Sequence, residues 1–178
     1  MGRGKICLQF NFLAMITSQT NWYAAYTLPK FEKRAYSELV RKNVEAYLPI
    51  QKVFKQWSDR VKKLDVPLFP NYIFVKNTEF DAKSAIRTKG IVRFVSFEGK
   101  PAVIPDCDIV AIKKLEGENP EVERNLVEGS SVRIIRGPLA GFEGRLFSKK
   151  GKVRFAVRVE TIGHSLSLEV PAFYLEQI

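Results

Sequence analysis

The sequence predicts an α+β fold in two parts: a mainly antiparallel sheet layered with helices, then a small β-barrel. Three observations carry this. Over residues 21–116, strand-like and helix-like periodicities follow one another in the order β-α-β-β-β-α-β-α, which suits helices packed on an antiparallel sheet. Residues 117–126 break every periodicity, with Gly117, Asn119 and Pro120 set among Glu118, Glu121 and Glu123, and read as an interdomain linker. Residues 127–178 hold short strands punctuated by Gly129, Gly137, Gly141, Gly144, Gly151 and Gly163. An open sheet that small would leave exposed edges, so closure into a barrel is expected.

The 29 Lys and Arg residues outnumber the 19 Asp and Glu, giving a net charge of +10, an electrostatic footprint for a polyanion such as nucleic acid. Hydrophobic content of 46% excludes a disordered chain. Cys7 and Cys107 form no metal-ligand spacing, and His164 is the sole histidine, so no metal or cofactor is expected. Reduced thiols fit a cytoplasmic protein. No apolar run approaches the roughly 20 residues of a membrane span. Arg3 and Lys5 ahead of Ile6–Ile16 imitate a signal peptide, but Gln9 and Asn11 interrupt the apolar run. Residues 1–20 are therefore expected to be a disordered or artefactual extension, with Met15 as an alternative start.

Along the chain, 22–28 reads as a first strand, with Trp22, Ala24 and Tyr26 on one face and Tyr23, Ala25 and Thr27 on the other. Residues 31–42 form an amphipathic helix with Phe31, Ala35, Tyr36 and Leu39 on its apolar side and a basic outer surface. A strand begins at Tyr47 and runs through Lys55, and a turn at Trp57–Arg60 leads into residues 61–66, giving a long basic hairpin. Pro67–Val75 is the central strand: Pro70 fixes its entry, and alternation sets Tyr72 with Phe74 and Ile73 with Val75. One face of that strand is expected to be covered by helices and the other offered to a partner. Thr78–Lys89 reads as a second helix stopped by Gly90. A strand at 91–97, a turn and a short return to Ile104 follow. A third helix then opens at Pro105–Asp106, burying Ile109, Val110, Ile112 and Leu115.

The segment Val127-Glu128-Gly129 followed by Val132–Gly144, with Gly137-Pro138-Leu139-Ala140-Gly141, resembles a KOW motif, the mark of an SH3-like barrel. Upstream, Trp22-Tyr23, Phe69–Val75 and Gly90–Val95 resemble the N-terminal domain of the NusG family. The run Pro67–Tyr72 and the segment Pro101–Pro105 are similar to its specialised, RfaH-like members, including antiterminators of capsular-polysaccharide operons. The resemblance implies a NusG N-terminal-type α/β sandwich over 21–116, a linker over 117–126 and a KOW barrel over 127–178.

It also implies a mechanism: a monomeric antitermination and elongation factor that binds the clamp of the largest RNA polymerase subunit, suppresses pausing and termination, and carries out no covalent chemistry. The residues matching the clamp-binding pocket are Tyr26, Phe69, Tyr72, Phe97, Ile109 and Ile112. Those matching the path of the non-template DNA strand are Arg34, Arg41, Lys42, Thr88 and Lys89. Two departures stand out: Asp81-Ala82-Lys83-Ser84 replaces the family's contact to the opposite polymerase lobe, and Glu38 replaces a polar DNA contact. The hairpin tip, with Trp57 and Arg60, is a further exposed candidate for stacking on a base or docking on polymerase. The resemblance gives the barrel a ribosomal protein or a termination factor as partner. Its glycines and β-branched alternation predict a permanent barrel, without the helical refolding that masks the clamp site in RfaH. The competing reading is a KOW-bearing ribosomal or RNA-binding structural protein. No P-loop, GxSxG or paired-carboxylate motif supports an enzyme.

Overall fold

The structure, a computed structural model, describes residues 20–178 apart from 58–59, 78–84 and 126. The expected N-terminal extension, the Ser58-Asp59 turn, most of the expected second helix and the Asp81–Ser84 segment lie outside the described residues. The α+β expectation holds. In the first domain, β1 (Asn21–Thr27), β2 (Glu45–Tyr47), β5 (Tyr72–Asn77) and β6 (Ile91–Phe94) form an antiparallel sheet ordered β2-β5-β1-β6. β9 (Val103–Ile104) also pairs with β1. β3 (Ile50–Gln56) and β4 (Val61–Pro67) form a separate hairpin, and β7 (Ser96–Phe97) with β8 (Lys100–Pro101) a shorter one. Among the described residues, helices α1 (Glu32–Arg41) and α2 (Asp106–Glu116) complete this half.

The register of β1 on β5, with Ala24 opposite Phe74 and Tyr26 opposite Tyr72, sorts the side chains into two layers, because alternate residues point to opposite faces. Tyr23, Ala25, Ile73 and Val75 bury against Ala35 and Leu39 of α1, with Leu48, Ile91 and Phe94. Trp22, Ala24 and Phe74 bury against Phe69 and against Ile109, Ile112 and Leu115 of α2. The alternation expected of the central strand is therefore observed.

Several local expectations are corrected. The strand expected from Tyr47 onward splits in two at Leu48-Pro49: β2 pairs with β5, whereas β3 leaves the sheet to pair with β4. Proline supplies no ladder donor, which suits a break there. Val110 is 48% exposed, because α2 turns Ala111 and Ile112 inward instead. Ile86, within the expected second helix, is also exposed.

The second domain is a six-stranded antiparallel sheet ordered β10-β14-β13-β12-β11-β15. It comprises β10 (Glu121–Glu123), β11 (Ser130–Ile134), β12 (Glu143–Lys149), β13 (Lys152–Val159), β14 (His164–Glu169) and β15 (Leu175–Gln177). Gly129 and Gly144 mark close approaches within the sheet: a Cβ would meet the Leu146 carbonyl at the first, and the Ala156 carbonyl and Phe155 ring at the second. β10 corrects the linker expectation, since three of the residues assigned to 117–126 form a strand on β14. Charge explains it. Arg154, buried in the barrel, donates to Glu121 at 3.0 Å and to the hydroxyl and carbonyl of Ser167, and Lys149 donates to Glu123 at 2.8 Å. A buried guanidinium needs such partners.

Candidate functional site

The barrel packs on the second face of the first domain's sheet. One continuous apolar cluster runs from Trp22, Phe69, Phe74, Ile109 and Ile112 into Val132, Ile134, Val159, Ile162 and Leu166 of the barrel. At its centre stands the aromatic group named by the resemblance. Tyr26 and Tyr72 meet edge to face at 5.3 Å. Phe69 meets Phe74 at 5.8 Å. His164, at the start of β14, lies edge-on to Tyr72 at 5.7 Å and to Phe69 at 6.1 Å, with its Nδ1 2.6 Å from the Ile162 carbonyl. Lys114 of α2 rests over the barrel's Phe142 at 4.9 Å. Beside this contact a cleft of about 550 Å³ separates Val103, Pro105 and Asp108 from Arg145, Arg158 and Glu160.

The local chain explains how the aromatics are held. Asn71 has a left-handed backbone (φ 68°), which Asn tolerates better than most residues. Its N–H donates to the buried Glu32 carboxylate at 2.9 Å, and the Tyr72 N–H donates to the Phe69 carbonyl at 3.2 Å. The turn thus throws Phe69 and Tyr72 to the same side. Burial, with the neighbouring Tyr26 phenol, pushes the Tyr72 hydroxyl up, while Arg93 pulls it down, so it stays neutral near pH 7. Asp108 is also pushed up, first by burial and then by Glu160 across the interface, against a lowering hydrogen bond from Cys107.

Of the six pocket residues, five gather here. Phe69, Ile109 and Ile112 are buried under the barrel and α2, and Tyr26 and Tyr72 are half-buried. The face expected to be offered to a partner is therefore covered in this arrangement. Phe97 is not part of the group: it sits on the β7–β8 hairpin and is 73% exposed.

The five positions matched to DNA lie on and beside α1, with one correction. Arg34, Arg41, Lys42 and Lys89 are at the surface, but Thr88 is buried and its hydroxyl accepts from Lys42 at 3.0 Å. Thr88 therefore positions Lys42, and a partner cannot reach it directly. Glu38, the departure from the family, pairs with Arg41 at 2.6 Å and offsets part of its charge. Arg34 lies over the Phe31 ring at 5.8 Å. Trp57 and Arg60 flank the hairpin turn, where the Trp57 N–H donates to the Arg60 carbonyl at 2.8 Å.

Sequence reasoning missed Glu32, His164 and Glu116. Glu32 had a signal, since it falls three residues before Ala35 on the buried stripe of α1. Glu116 accepts from the Tyr47 hydroxyl at 2.6 Å and from the Ile50 N–H, tying α2 to the hairpin base. Burial first, and then Glu116, push the Tyr47 hydroxyl up. Among the described residues no group of His, Cys, Asp or Glu is arranged to hold a metal ion, and no helix is long and apolar enough to cross a membrane.

A sheet with helices on it, a six-stranded antiparallel sheet and an aromatic seam between them define an α+β protein in two parts. The chain belongs to the NusG family, whose model, described as "Transcription termination factor nusG", matches residues 20–113. It is 24% identical over 176 residues to the "Transcription termination/antitermination protein NusG" of Pseudomonas aeruginosa, covering 88% of this chain and 98% of that one. It is 28% identical over 164 residues to the protein of the same name from Thermus thermophilus, covering 78% and 89%. Its fold is similar to a solved structure described as "Domain interaction in Thermotoga maritima NusG", with a TM-score of 0.54, 21% identity and coverage of 90% and 98%.

Proposed function

We propose that this chain is a transcription antitermination factor acting in the cytoplasm as a specialised, RfaH-like member of its family. It grips the RNA polymerase clamp with Tyr26, Phe69, Tyr72, Ile109 and Ile112, and Phe97 adds an exposed contact at the margin. Arg34, Arg41, Lys42 and Lys89 hold the non-template strand through its phosphates, with Thr88 setting Lys42. Favouring one polymerase conformation suppresses pausing and termination by binding alone. A polysaccharide operon is the setting that its likeness to specialised members suggests. The observation that carries this reading is the aromatic seam. It is an apolar surface built by the central strands and α2, and its cover is a domain joined through a short connection. Binding polymerase requires the barrel to leave, which frees it for a ribosomal protein or termination factor.

The rival, a KOW barrel that binds RNA, finds less support. Arg133, Lys149, Lys152, Arg154 and Arg158 of the barrel are each paired with a glutamate, which lowers the charge open to phosphate. The test is co-purification with core polymerase. Tyr72→Ala should abolish it while the far-ultraviolet circular dichroism stays unchanged, and undiminished retention would refute the seam as the grip.

A further inference from the structure

The stretch joining the two domains is fastened at both ends. On the first domain, Glu116 at the end of α2 accepts from the Tyr47 hydroxyl and the Ile50 N–H, and the Gln51 side chain donates to the Pro120 carbonyl at 3.3 Å. On the barrel, β10 pairs with β14, Glu121 opposite Ser167 and Glu123 opposite Ser165, and the Val127 N–H donates to the Ser165 hydroxyl at 3.0 Å. Residues 117–120 alone lie between α2 and β10. Fully extended, they span about 14 Å. With β10 off the barrel the join runs from 117 to 129, just before β11, and spans about 45 Å.

Charge holds β10 in place. Lys149 lies 3.2 Å from Glu121 and 2.8 Å from Glu123, Arg154 donates to Glu121 at 3.0 Å, and the Ser167 hydroxyl donates to Glu123 at 2.8 Å. The Lys149 and Glu121 side chains are well exposed, so salt weakens that part of the grip. Arg154 keeps Ser167 and, at 3.5 Å, Glu169 when Glu121 withdraws, so release does not strand its buried guanidinium. β10 is also the end strand of its sheet, and its departure leaves the pairing of β14, β13, β12, β11 and β15 intact.

We propose that β10 is a charge-held latch that sets the length of the interdomain join and so governs how readily the barrel leaves the aromatic seam. Latched, the barrel lifts off but stays beside α2 and returns. Unlatched, it moves on a tether of residues 117–129. Effective concentration falls roughly as the −3/2 power of tether length, so release lowers closure about sixfold. The coupling is reciprocal: a closed barrel also favours the paired β10. This rests on the reading that the barrel leaves the seam, and on nothing that binds there afterwards.

Distances between spin labels on the full chain, without polymerase, test it. The labels go on the exposed positions Val40→Cys of α1 and Phe173→Cys of the barrel, with Cys7 and Cys107 replaced by Ser. His164→Ala should open the seam within the short tether. Adding Glu121→Gln and Glu123→Gln should lower the ratio of closed to open chains about sixfold and extend the longest distances by about 30 Å. Lys149→Gln leaves the Arg154 pair untouched and should shift the distribution the same way by less, which keeps the test valid if the double substitution unfolds the barrel. Distances that these variants leave unchanged in the opened His164→Ala chain would overturn the latch alone, even where amide exchange over 121–123 rises. Distances unchanged in every variant, His164→Ala included, would overturn the latch together with the departing barrel.

Discussion

The two faces of the first domain's sheet are made by the same strands, β1 and β5, yet they are covered in different ways. One face, carrying Tyr23, Ala25, Ile73 and Val75, is closed by α1, which follows β1 after a turn. The other, carrying Trp22, Ala24 and Phe74, is closed partly by α2 and then by a separate domain. Local closure makes the first face a permanent core. The second has the chemistry of a core, but its outer layer is a separate six-stranded sheet, which the proposed function requires to leave. Burial alone therefore does not separate fold from function here; the sequence distance of the covering element does.

Truncating one side chain under α1 and one in the barrel cover separates permanent core from removable cover. Ile73→Ala should cost about 3 kcal/mol of global stability, because it opens a cavity where no element can move away. Chemical denaturation reads this, and a loss comparable to that of a surface substitution would place Ile73 outside the permanent core. His164→Ala, in the barrel that covers the second face, should cost the melting transitions less than about 1 kcal/mol. It should instead separate the domains, seen as a larger radius of gyration in solution scattering. If it unfolded the barrel, the seam would be core and not a closure.

A smaller effect tests the charge across the seam. The Asp108 carboxyl is raised in the closed arrangement, first by burial and then by Glu160. Protonation therefore favours closure. Its contribution is fully present below the open-state value and is lost as pH rises through the raised one. Energy transfer between dyes on the two domains should fall as pH rises from the acid side toward neutral, and Asp108→Asn should flatten that dependence. Least of all, Val110→Ser on the exposed side of α2 should move stability by under about 0.5 kcal/mol, as judged by thermal melting.

The alternation of Trp22–Thr27 and Tyr72–Val75 made both faces legible in the sequence, because period-two patterning fixes which side chains share a side. The spacing of Ala35 and Leu39 did the same for α1. The cover on the second face was not legible. It depends on Phe69 and Tyr72 meeting His164, some 90 residues away, and no local pattern encodes such a contact. Strand β10 was hidden for a related reason: Glu121 and Glu123 beside Pro120 look like a loop until Lys149 and Arg154 are brought opposite them. Thr88 shows the limit of transfer by likeness, since a matching position here faces inward and serves Lys42.

The central claim is that polymerase and the barrel compete for one face. Amide hydrogen exchange on the full chain, with and without core polymerase, tests it most directly. Under competition, polymerase keeps or increases protection over Phe69–Tyr72 and α2 while protection falls over residues 160–168 of the barrel. Polymerase binding that leaves residues 160–168 as protected as before would contradict it.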